Sequence, residues 1–382
     1  MSRTTPPPLA LYIHLPWCVR KCPYCDFNSH AAPAQLPVEP YTRALIADLL
    51  LELAKAPGRL VETVFIGGGT PSLFPPPAIA QVLDALGDRL AADAEVTLEA
   101  NPGTFEQGRF EGFRAAGVNR LSIGVQSFAA EKLHSLGRIH GRNEALQAAE
   151  AARNAGFESF NLDLMYALPD QTVTEALADL EQAIRLQPPH LSHYQLTLEP
   201  NTVFFSRPPT LPDQDTAADM QDHCQALLAE AGYEQYEVSA YARPGHRCRH
   251  NLNYWRFGDY LAVGAGAHGK ITHADGTVQR YRKVKVPALY MQRMGKGGAD
   301  TETRAVDGQE RVLEFMMNAL RLRDGFTESL FSSRTGLPME TAQPGLDRAL
   351  AEGWMVRDGE SLRLSDGGRN HLDTVLTQFL PG

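Results

Sequence analysis

Short apolar runs rich in β-forming residues recur along the first half of the chain, and stretches with apolar residues at helical spacing separate them. Six strands are predicted from these runs, at 9–15, 63–68, 95–100, 120–126, 159–166 and 191–198. Helices are predicted between them at about 40–55, 76–91, 106–116, 129–135, 142–155 and 173–187. Strands joined by crossover helices form a parallel sheet with right-handed connections, so the pattern predicts an α/β fold with a repeated βα unit.

Polar residues stand at the carboxyl ends of many of the predicted strands, which favours a partial (β/α)6 barrel of the TIM type over a doubly wound sheet. A Pro-rich stretch at 207–213 follows the sixth strand, so the barrel is predicted to span residues 1–210. Residues 211–305 include a helical stretch at about 216–231 and the Gly-rich run 261–269. They are predicted to form an extension packed on the barrel.

The pattern changes again near residue 308. Helical stretches at 311–322 and 339–353 precede a hairpin over 354–366 that turns at Asp358-Gly359. This order of elements predicts a smaller, helical, winged-helix-like domain over residues 306–382. Because this segment has no basic recognition face, we expect it to serve in packing or partner contact and not in DNA binding.

Composition and charge narrow the possible partners. The chain has 36 Lys and Arg against 45 Asp and Glu, a formal charge of −9. No overall positive field would attract a phosphate backbone, so nucleic acid is not predicted as a partner. The sequence has neither a run of about 18 apolar residues nor a signal-peptide pattern, which predicts a cytoplasmic protein.

The cysteine pattern is the strongest chemical signal. Three of the five cysteines, Cys18, Cys22 and Cys25, fall within eight residues directly after the first predicted strand, whereas Cys224 and Cys248 stand alone. A tight triplet within an odd total favours thiolate ligation over disulfides. Three thiolates can hold three irons of a cubane and leave the fourth open to a non-protein ligand.

A structural zinc site is the alternative use of this triplet. It would need a fourth ligand, for which His14 or His30 is available. Structural zinc favours two C-x2-C pairs over the spacing found here, so the cluster is the preferred interpretation.

A glycine-rich loop follows the second predicted strand, with the sequence Gly67-Gly68-Gly69-Thr70-Pro71. Glycines at the end of a barrel strand let backbone groups approach a small polar ligand without interference from Cβ atoms. The loop is not a P-loop, since no G-K-[ST] follows it.

These features together resemble the radical S-adenosylmethionine (SAM) superfamily. The resemblance implies a [4Fe–4S] cluster on the three cysteines, with SAM bound through its methionine group at the open iron. Within the superfamily, the chain resembles the coproporphyrinogen-dehydrogenase-like family. That resemblance implies that the following residues contact SAM, with Tyr24 acting through its backbone: Tyr12, Tyr24, Gly68, Gly69, Thr70, Glu99, Gln126, Arg138 and Asp163.

Three features resemble the HemW-type haem chaperones of this family more than the dehydrogenases. Phe27 stands where the dehydrogenases have a fourth cysteine, and 17 residues precede Cys18 where the dehydrogenases have a long segment. Residues 250–255 fit an H-N-x-x-Y-W motif proposed to bind haem. By this resemblance His250 would ligate the iron, Tyr254 and Trp255 would pack on the porphyrin, and Asn251 completes the motif.

Several alternatives stay open at this stage. The motif could be a local turn whose aromatic residues anchor it to the core, and Cys248 is another possible iron ligand. The four histidines without a motif are expected to be structural or solvated: His140, His193, His246 and His268.

The haem-chaperone resemblance implies haem as a third cofactor, an acceptor protein that could be membrane-associated, and an electron donor for the cluster. An oxygen-independent coproporphyrinogen III dehydrogenase is the alternative function. A cluster-bearing scaffold without SAM chemistry is disfavoured by the residues suited to a SAM site. Whether SAM is cleaved stays open.

Overall fold

The computed structural model describes residues 6–104 and 107–380. The strands in chain order are β1 (Leu9–Leu15), β2 (Trp17–Cys18), β3 (His30–Ala31), β4 (Val61–Gly68), β5 (Leu90–Ala100), β6 (Arg120–Gln126), β7 (Ser159–Tyr166), β8 (His190–Gln195), β9 (Glu234–Glu237), β10 (Ala240–Ala242), β11 (Asp259–Val263), β12 (His268–Thr272), β13 (Val278–Lys283), β14 (Asp300–Ala305), β15 (Phe326–Thr327), β16 (Met355–Asp358) and β17 (Ser361–Leu364).

The helices are α1 (Val38–Lys55), α2 (Pro76–Asp84), α3 (Gln107–Ala115), α4 (Ala130–Ser135), α5 (Arg142–Asn154), α6 (Val173–Arg185), α7 (Val203–Ser206), α8 (Gln214–Glu230), α9 (Arg249–Trp255), α10 (Pro287–Met294), α11 (Gly308–Ala319), α12 (Glu328–Thr335), α13 (Gln343–Ala351), α14 (Asp366–Asn370) and α15 (Leu372–Thr377). The predicted start of the third helix at residue 106 lies outside the described residues. The second helix ends earlier than predicted, because a 3-10 turn at Gly87–Arg89 leads directly into β5.

Twelve of the described strands form one sheet, in the order β14-β13-β12-β11-β1-β4-β5-β6-β7-β8-β10-β9. The strands from β11 through β1 to β8 are parallel, and both margins of the sheet are antiparallel. The predicted α/β architecture with its six βα strands is therefore confirmed.

Residues 211–305 continue the barrel's sheet at both of its margins. β9 and β10 extend it beyond β8, and β11 to β14 extend it beyond β1. The Gly-rich run 261–269 includes part of β11, which pairs in parallel with β1. The boundary at residue 210 stays a prediction.

The main hydrophobic core lies on the helix-facing side of the sheet. On β6 the buried residues Leu121, Ile123 and Val125 contribute to it, and the same alternation runs along the neighbouring strands. Because side chains alternate across a strand, residues 120, 122, 124 and 126 are left to face the barrel interior.

A second core lies in the C-terminal region. It packs α11, α12 and α13 together through Phe315, Phe331 and Leu346, with the β15-β17-β16 sheet beside them. The predicted hairpin is present, since β16 and β17 pair antiparallel on either side of Gly359, which has φ +58°. The extent of this domain, 306–382, stays a prediction.

Candidate cofactor site

The three clustered cysteines lie in the loop between β1 and α1. The short parallel strands β2 and β3 hold the two ends of this loop, with Trp17 paired to His30 and Cys18 to Ala31. The backbone N–H of Cys25 donates to the carbonyl of Cys22 at 3.2 Å, which closes the turn between them. All three thiols line one cavity of about 520 Å³ at the carboxyl end of the parallel strands, here named the cofactor cavity.

The glycine loop packs directly against this cysteine loop. The backbone N–H of Thr70 donates to the carbonyl of Trp17 at 2.7 Å. A Cβ atom on Gly69 would lie 2.5 Å from that same carbonyl oxygen, and one on Gly68 would lie 2.6 Å from the ring of His14. Gly68 also has φ +118°. Glycine is therefore required here so that the two loops can meet.

A chain of polar contacts runs from Cys22 through Arg138 and Asn101 to the side chain of Thr70. Nη1 of Arg138 lies 3.6 Å from Sγ of Cys22, and Nη2 donates to the carbonyl of Gly124 at 2.6 Å and to Oδ1 of Asn101. Asn101 donates in turn to Oγ1 of Thr70 at 3.0 Å. The half-buried guanidinium of Arg138 is thus fixed beside the thiol of Cys22.

Two half-buried carboxyl groups, Glu99 and Asp163, face the same cavity from β5 and β7. Oε2 of Glu99 accepts the backbone N–H of Gly68 at 3.0 Å. Burial, with a contribution from the nearby Asp163, raises the pKa of Glu99 to about 7. Burial also raises the pKa of Asp163, although Asn161 donates to it at 2.7 Å. Both groups are suited to accept hydrogen bonds from a cationic or hydroxylated ligand.

Gln126 ends β6 in a left-handed conformation, with φ +70°. Its Oε1 accepts from the hydroxyl of Tyr194 at 2.8 Å, which leaves the amide Nε2 available as a donor. Tyr24 lies across the cavity and packs on Phe204 with ring centroids 6.3 Å apart. The left-handed backbone of Gln126, which is uncommon outside glycine, is typical of a functional position.

The cofactor cavity brings together eleven of the twelve residues predicted for the cluster and SAM. They are Cys18, Cys22, Cys25, Tyr24, Gly68, Gly69, Thr70, Glu99, Gln126, Arg138 and Asp163. The exception is Tyr12, which lines an adjoining cavity of about 500 Å³, here named the second cavity. The two cavities share Asp26, Phe27, Gly68 and Glu99. The role of each residue stays a prediction.

Several lining residues were not predicted, including Asn101, Ser122, Asn161 and Tyr194. The sequence signal that could have identified them is the alternation of polar and apolar residues along the strands. Polar residues of β6 to β8 that line the cavity are two positions apart, such as Asn161 and Asp163 or Ser192 and Tyr194, and the residues between them are buried. Asn101 follows directly after β5, two residues beyond Glu99.

The histidines of the zinc alternative are engaged elsewhere. His14 lies 2.9 Å from the hydroxyl of Tyr12 and 2.9 Å from the carbonyl of Asn28, so both of its ring nitrogens have partners. His30 contacts the carbonyl of Lys285 at 3.3 Å. Within residues 6–104 and 107–380, no three His, Cys, Asp or Glu side chains form a group that could hold a single metal ion.

The H-N-x-x-Y-W motif forms helix α9, which packs against the amino-terminal half of β4. His250 contacts Thr63, the third residue of β4. Glu95 accepts the backbone N–H groups of Arg249 and His250, at 3.1 and 2.9 Å, which fixes the start of the helix.

His250 is buried, and both of its ring nitrogens are engaged. Nδ1 lies 2.9 Å from Oγ1 of Thr63 and Nε2 lies 3.2 Å from the hydroxyl of Tyr254. The ring also stacks on Phe65, with centroids 5.1 Å apart. Burial lowers the pKa of His250 to about 3. In this arrangement the imidazole is a neutral, interior group.

The other motif residues diverge, because successive helical positions are rotated by roughly 100°. Asn251 lines the cofactor cavity and Tyr254 lines the second cavity, whereas Trp255 packs under the guanidinium of Arg321 at 4.4 Å. Tyr254 and Trp255 therefore do not present one flat surface, contrary to the predicted arrangement. Cys248 is buried, and burial raises its pKa to about 12. The haem role of the motif stays a prediction.

Comparison with known proteins identifies the family. Residues 12–183 match the radical SAM superfamily, and residues 306–370 match the HemN C-terminal domain. The heme chaperone HemW of Escherichia coli (strain K12) is 52% identical over 376 residues, which cover 98% of each chain. The chain belongs to the HemW family. The HemW of Haemophilus influenzae is 47% identical over 380 residues, again covering 98% of each chain.

HemW relatives extend to animals. A protein of Bos taurus named radical S-adenosyl methionine domain-containing protein 1, mitochondrial, is 37% identical over 385 residues, covering 97% of this chain and 87% of its own. Among solved structures, the coproporphyrinogen III oxidase HemN of Escherichia coli has a TM-score of 0.83 at 24% identity, covering 99% of this chain and 91% of its own. That likeness shows that this HemW-family chain shares the HemN fold. The family resemblance and fold class predicted from sequence are confirmed.

Proposed function

We propose that Cys18, Cys22 and Cys25 hold a [4Fe–4S] cluster and that SAM occupies the cofactor cavity. The donor set fits these groups: three thiols face one side of a cavity of about 520 Å³, a size usual for small-molecule sites. Two half-buried carboxyl groups, the amide of Gln126 and the glycine backbone face the other sides. When bound, the cluster supplies the electron that cleavage of SAM requires.

The residues of this chain would bind and orient these groups. The Arg138 guanidinium would stabilise the thiolate of Cys22, which it already approaches. Glu99 would accept hydrogen bonds from a cationic part of SAM, and the N–H of Gly68 holds that carboxylate in place. Nε2 of Gln126 would donate to a further oxygen of SAM, since Tyr194 already occupies Oε1.

We further propose that the protein binds haem and delivers it to an acceptor protein, which could be membrane-associated. The observation that carries this proposal is the 52% identity to the Escherichia coli heme chaperone HemW over 98% of both chains. An electron donor would reduce the cluster. Five free cysteines suit the reducing cytoplasm, where we place the protein. No helix among the described residues is long and apolar enough to cross a membrane.

One anaerobically reconstituted sample tests this function. We expect the protein to retain hemin through gel filtration, to pass it to an acceptor, and to form no protoporphyrinogen from coproporphyrinogen in the presence of SAM and a reductant. HemN assayed under the same conditions is the positive control for turnover. Turnover by this protein without haem retention would establish the dehydrogenase function instead.

A further inference from the structure

The second cavity lies on a surface that continues the barrel interior beyond β1. Strand register places Tyr12 opposite Ala262, and Tyr260, two residues earlier on β11, lies opposite Lys270 on β12. His268 is two residues before Lys270, so its side chain is on the same face. The barrel's inner face therefore extends as an open platform across β11 and β12, next to the cofactor cavity.

Aromatic side chains form one wall of this cavity. Tyr254 and Tyr260 meet edge to face, with ring centroids 4.5 Å apart and planes at 82°. Tyr12 lines the cavity beside them, and Phe27 from the cysteine loop lies at its opening, where it is 57% exposed. Phe27 and the three Tyr rings thus give this cavity an aromatic lining, against which a large, mainly apolar ligand can pack.

His268 is the histidine of this cavity with free ring nitrogens. It is exposed to solvent, and neither nitrogen has a hydrogen-bond partner within the part of the chain that the structure describes. His14, which also lines the cavity, has both nitrogens engaged. Partial burial and the neighbouring cations of Arg282 and Lys285 lower the pKa of His268, which keeps it neutral and able to coordinate a metal.

A lysine side chain, Lys285, lies near His268 at the edge of the second cavity. Lys285 is exposed and lines the cavity, and the side-chain amide of Asn28 fixes its backbone carbonyl at 2.9 Å. No ion pair of Lys285 occurs among the described residues, whereas Arg282 is paired with Glu302 at 2.7 Å. Lys285 is therefore available for an anionic group. The carboxyl groups of Asp26 and Glu99 lie elsewhere on the wall and would repel a carboxylate from that side.

We propose that the second cavity is the haem site of this protein, with His268 as the axial ligand, the aromatic wall against the macrocycle and Lys285 paired with a propionate. This inference rests on the proposed haem function and gives that function a location. It also places haem beside the cofactor cavity, through the shared wall of Asp26, Phe27, Gly68 and Glu99.

Hemin titration of the reconstituted full-length protein tests the site, with retained haem quantified after gel filtration by pyridine haemochrome and the ferric state followed by EPR. His268→Ala should weaken hemin binding by about tenfold or more and change the EPR signal of the bound iron. In His268→Gly, added imidazole should restore the wild-type signal. His273→Ala, on the turn between β12 and β13, is the matched control and should bind hemin as wild type does.

Lys285→Ala should weaken binding of hemin but not of its dimethyl ester, with Lys296→Ala as control. Hemin binding by His268→Ala equal to that of wild type would overturn this inference but not the proposed function. Loss of hemin binding in the folded, cluster-containing fraction of His250→Ala would identify His250 as the ligand instead. Failure of the wild-type protein to bind hemin would overturn the proposed function itself.

Discussion

The guanidinium of Arg138 lies 3.6 Å from the sulfur of Cys22, although 116 positions separate the two residues in sequence. Arg138 is held there by the carbonyl of Gly124, and a Cβ atom at that glycine would lie 3.3 Å from the guanidinium. The neighbouring thiol and the hydroxyl of Tyr24 raise the pKa of Arg138 despite its burial, so it stays charged. A fixed cation therefore faces the predicted cluster.

Removal of this cation should destabilise the cluster. Hydrogen bonds to charged groups contribute about 1.5–3 kcal/mol, so Arg138→Gln should speed cluster loss to an iron chelator by roughly tenfold or more. The loss can be followed by visible absorbance under anaerobic conditions. Arg142→Gln is the control, because Arg142 is exposed and its guanidinium contacts only Gln182 among the described contacts. Equal rates for wild type and Arg138→Gln would contradict this role.

The cysteine assignment predicts a sharp division among the five thiols. Reconstituted wild-type protein should contain about four irons, and replacement of Cys18, Cys22 or Cys25 by Ala should abolish the cluster. Cys224→Ala and Cys248→Ala should keep it, since both thiols are buried and burial raises the pKa of each to about 12. Iron and sulfide analysis with EPR measures the outcome. A protein that took up zinc and resisted cluster assembly would contradict the assignment.

Local pattern predicted the barrel strands well where apolar residues alternate or run continuously. β1, β6 and β7 have the predicted bounds. The pairing of β11 with β1 was not predicted, because their residues are about 250 positions apart and nothing local in a five-residue strand specifies its partner. Long-range register is a tertiary property that one sequence does not show.

The same limit explains which parts of the candidate site could be predicted from the sequence and which could not. Motif residues at strand ends were found because each carries a local signature, and the barrel places strand ends together. The environment of His250 could not be predicted, since its partner Thr63 is 187 positions away. Whether a histidine's nitrogens are free or engaged depends on such distant contacts, and that difference separates His250 from His268.

Glu99 should give the stability a distinctive pH dependence. Its pKa is about 7 in the folded protein against an ordinary value of 4.5. Between these two pH values the folded state therefore holds a proton that the unfolded chain has released. The resulting stabilisation is present below about pH 4.5 and is lost as the pH rises through about 7. Glu99→Gln should therefore be more stable than wild type at pH 8, by roughly 1–3 kcal/mol, with a smaller difference at pH 5. Urea unfolding of the cluster-free proteins at both pH values measures this.

The same residue is predicted to contact SAM. SAM should perturb the EPR signal of the reduced cluster in wild type, and Glu99→Ala should require a higher SAM concentration for the same perturbation. Glu62→Ala is a control on the neighbouring strand β4, where Glu62 is exposed. An unchanged SAM dependence in Glu99→Ala would remove Glu99 from the site and leave its pH effect as a purely structural property.

His250 is the residue for which the motif and the geometry lead to different expectations. Its ring is buried, bonded to Thr63 and Tyr254 and stacked on Phe65. We expect His250→Ala to lower the free energy of unfolding by roughly 1–3 kcal/mol, since it removes packing and leaves polar partners unpaired. Thr63→Val, which removes only the partner of Nδ1, should lower it by a smaller amount. Denaturant unfolding and hemin retention, measured on the same preparations, give both readouts.

If His250 has only an interior, structural role, its replacement should change the stability of the protein without changing its hemin affinity. In the folded fraction of His250→Ala, hemin affinity should match that of wild type, because the imidazole is buried and both of its ring nitrogens are engaged. If the imidazole instead coordinated iron, even the folded fraction of His250→Ala would lose hemin binding, and in wild type the hydrogen bonds to Thr63 and Tyr254 would have to break on binding. Thr63→Val would then strengthen hemin binding by freeing the ring, whereas an interior role predicts no change.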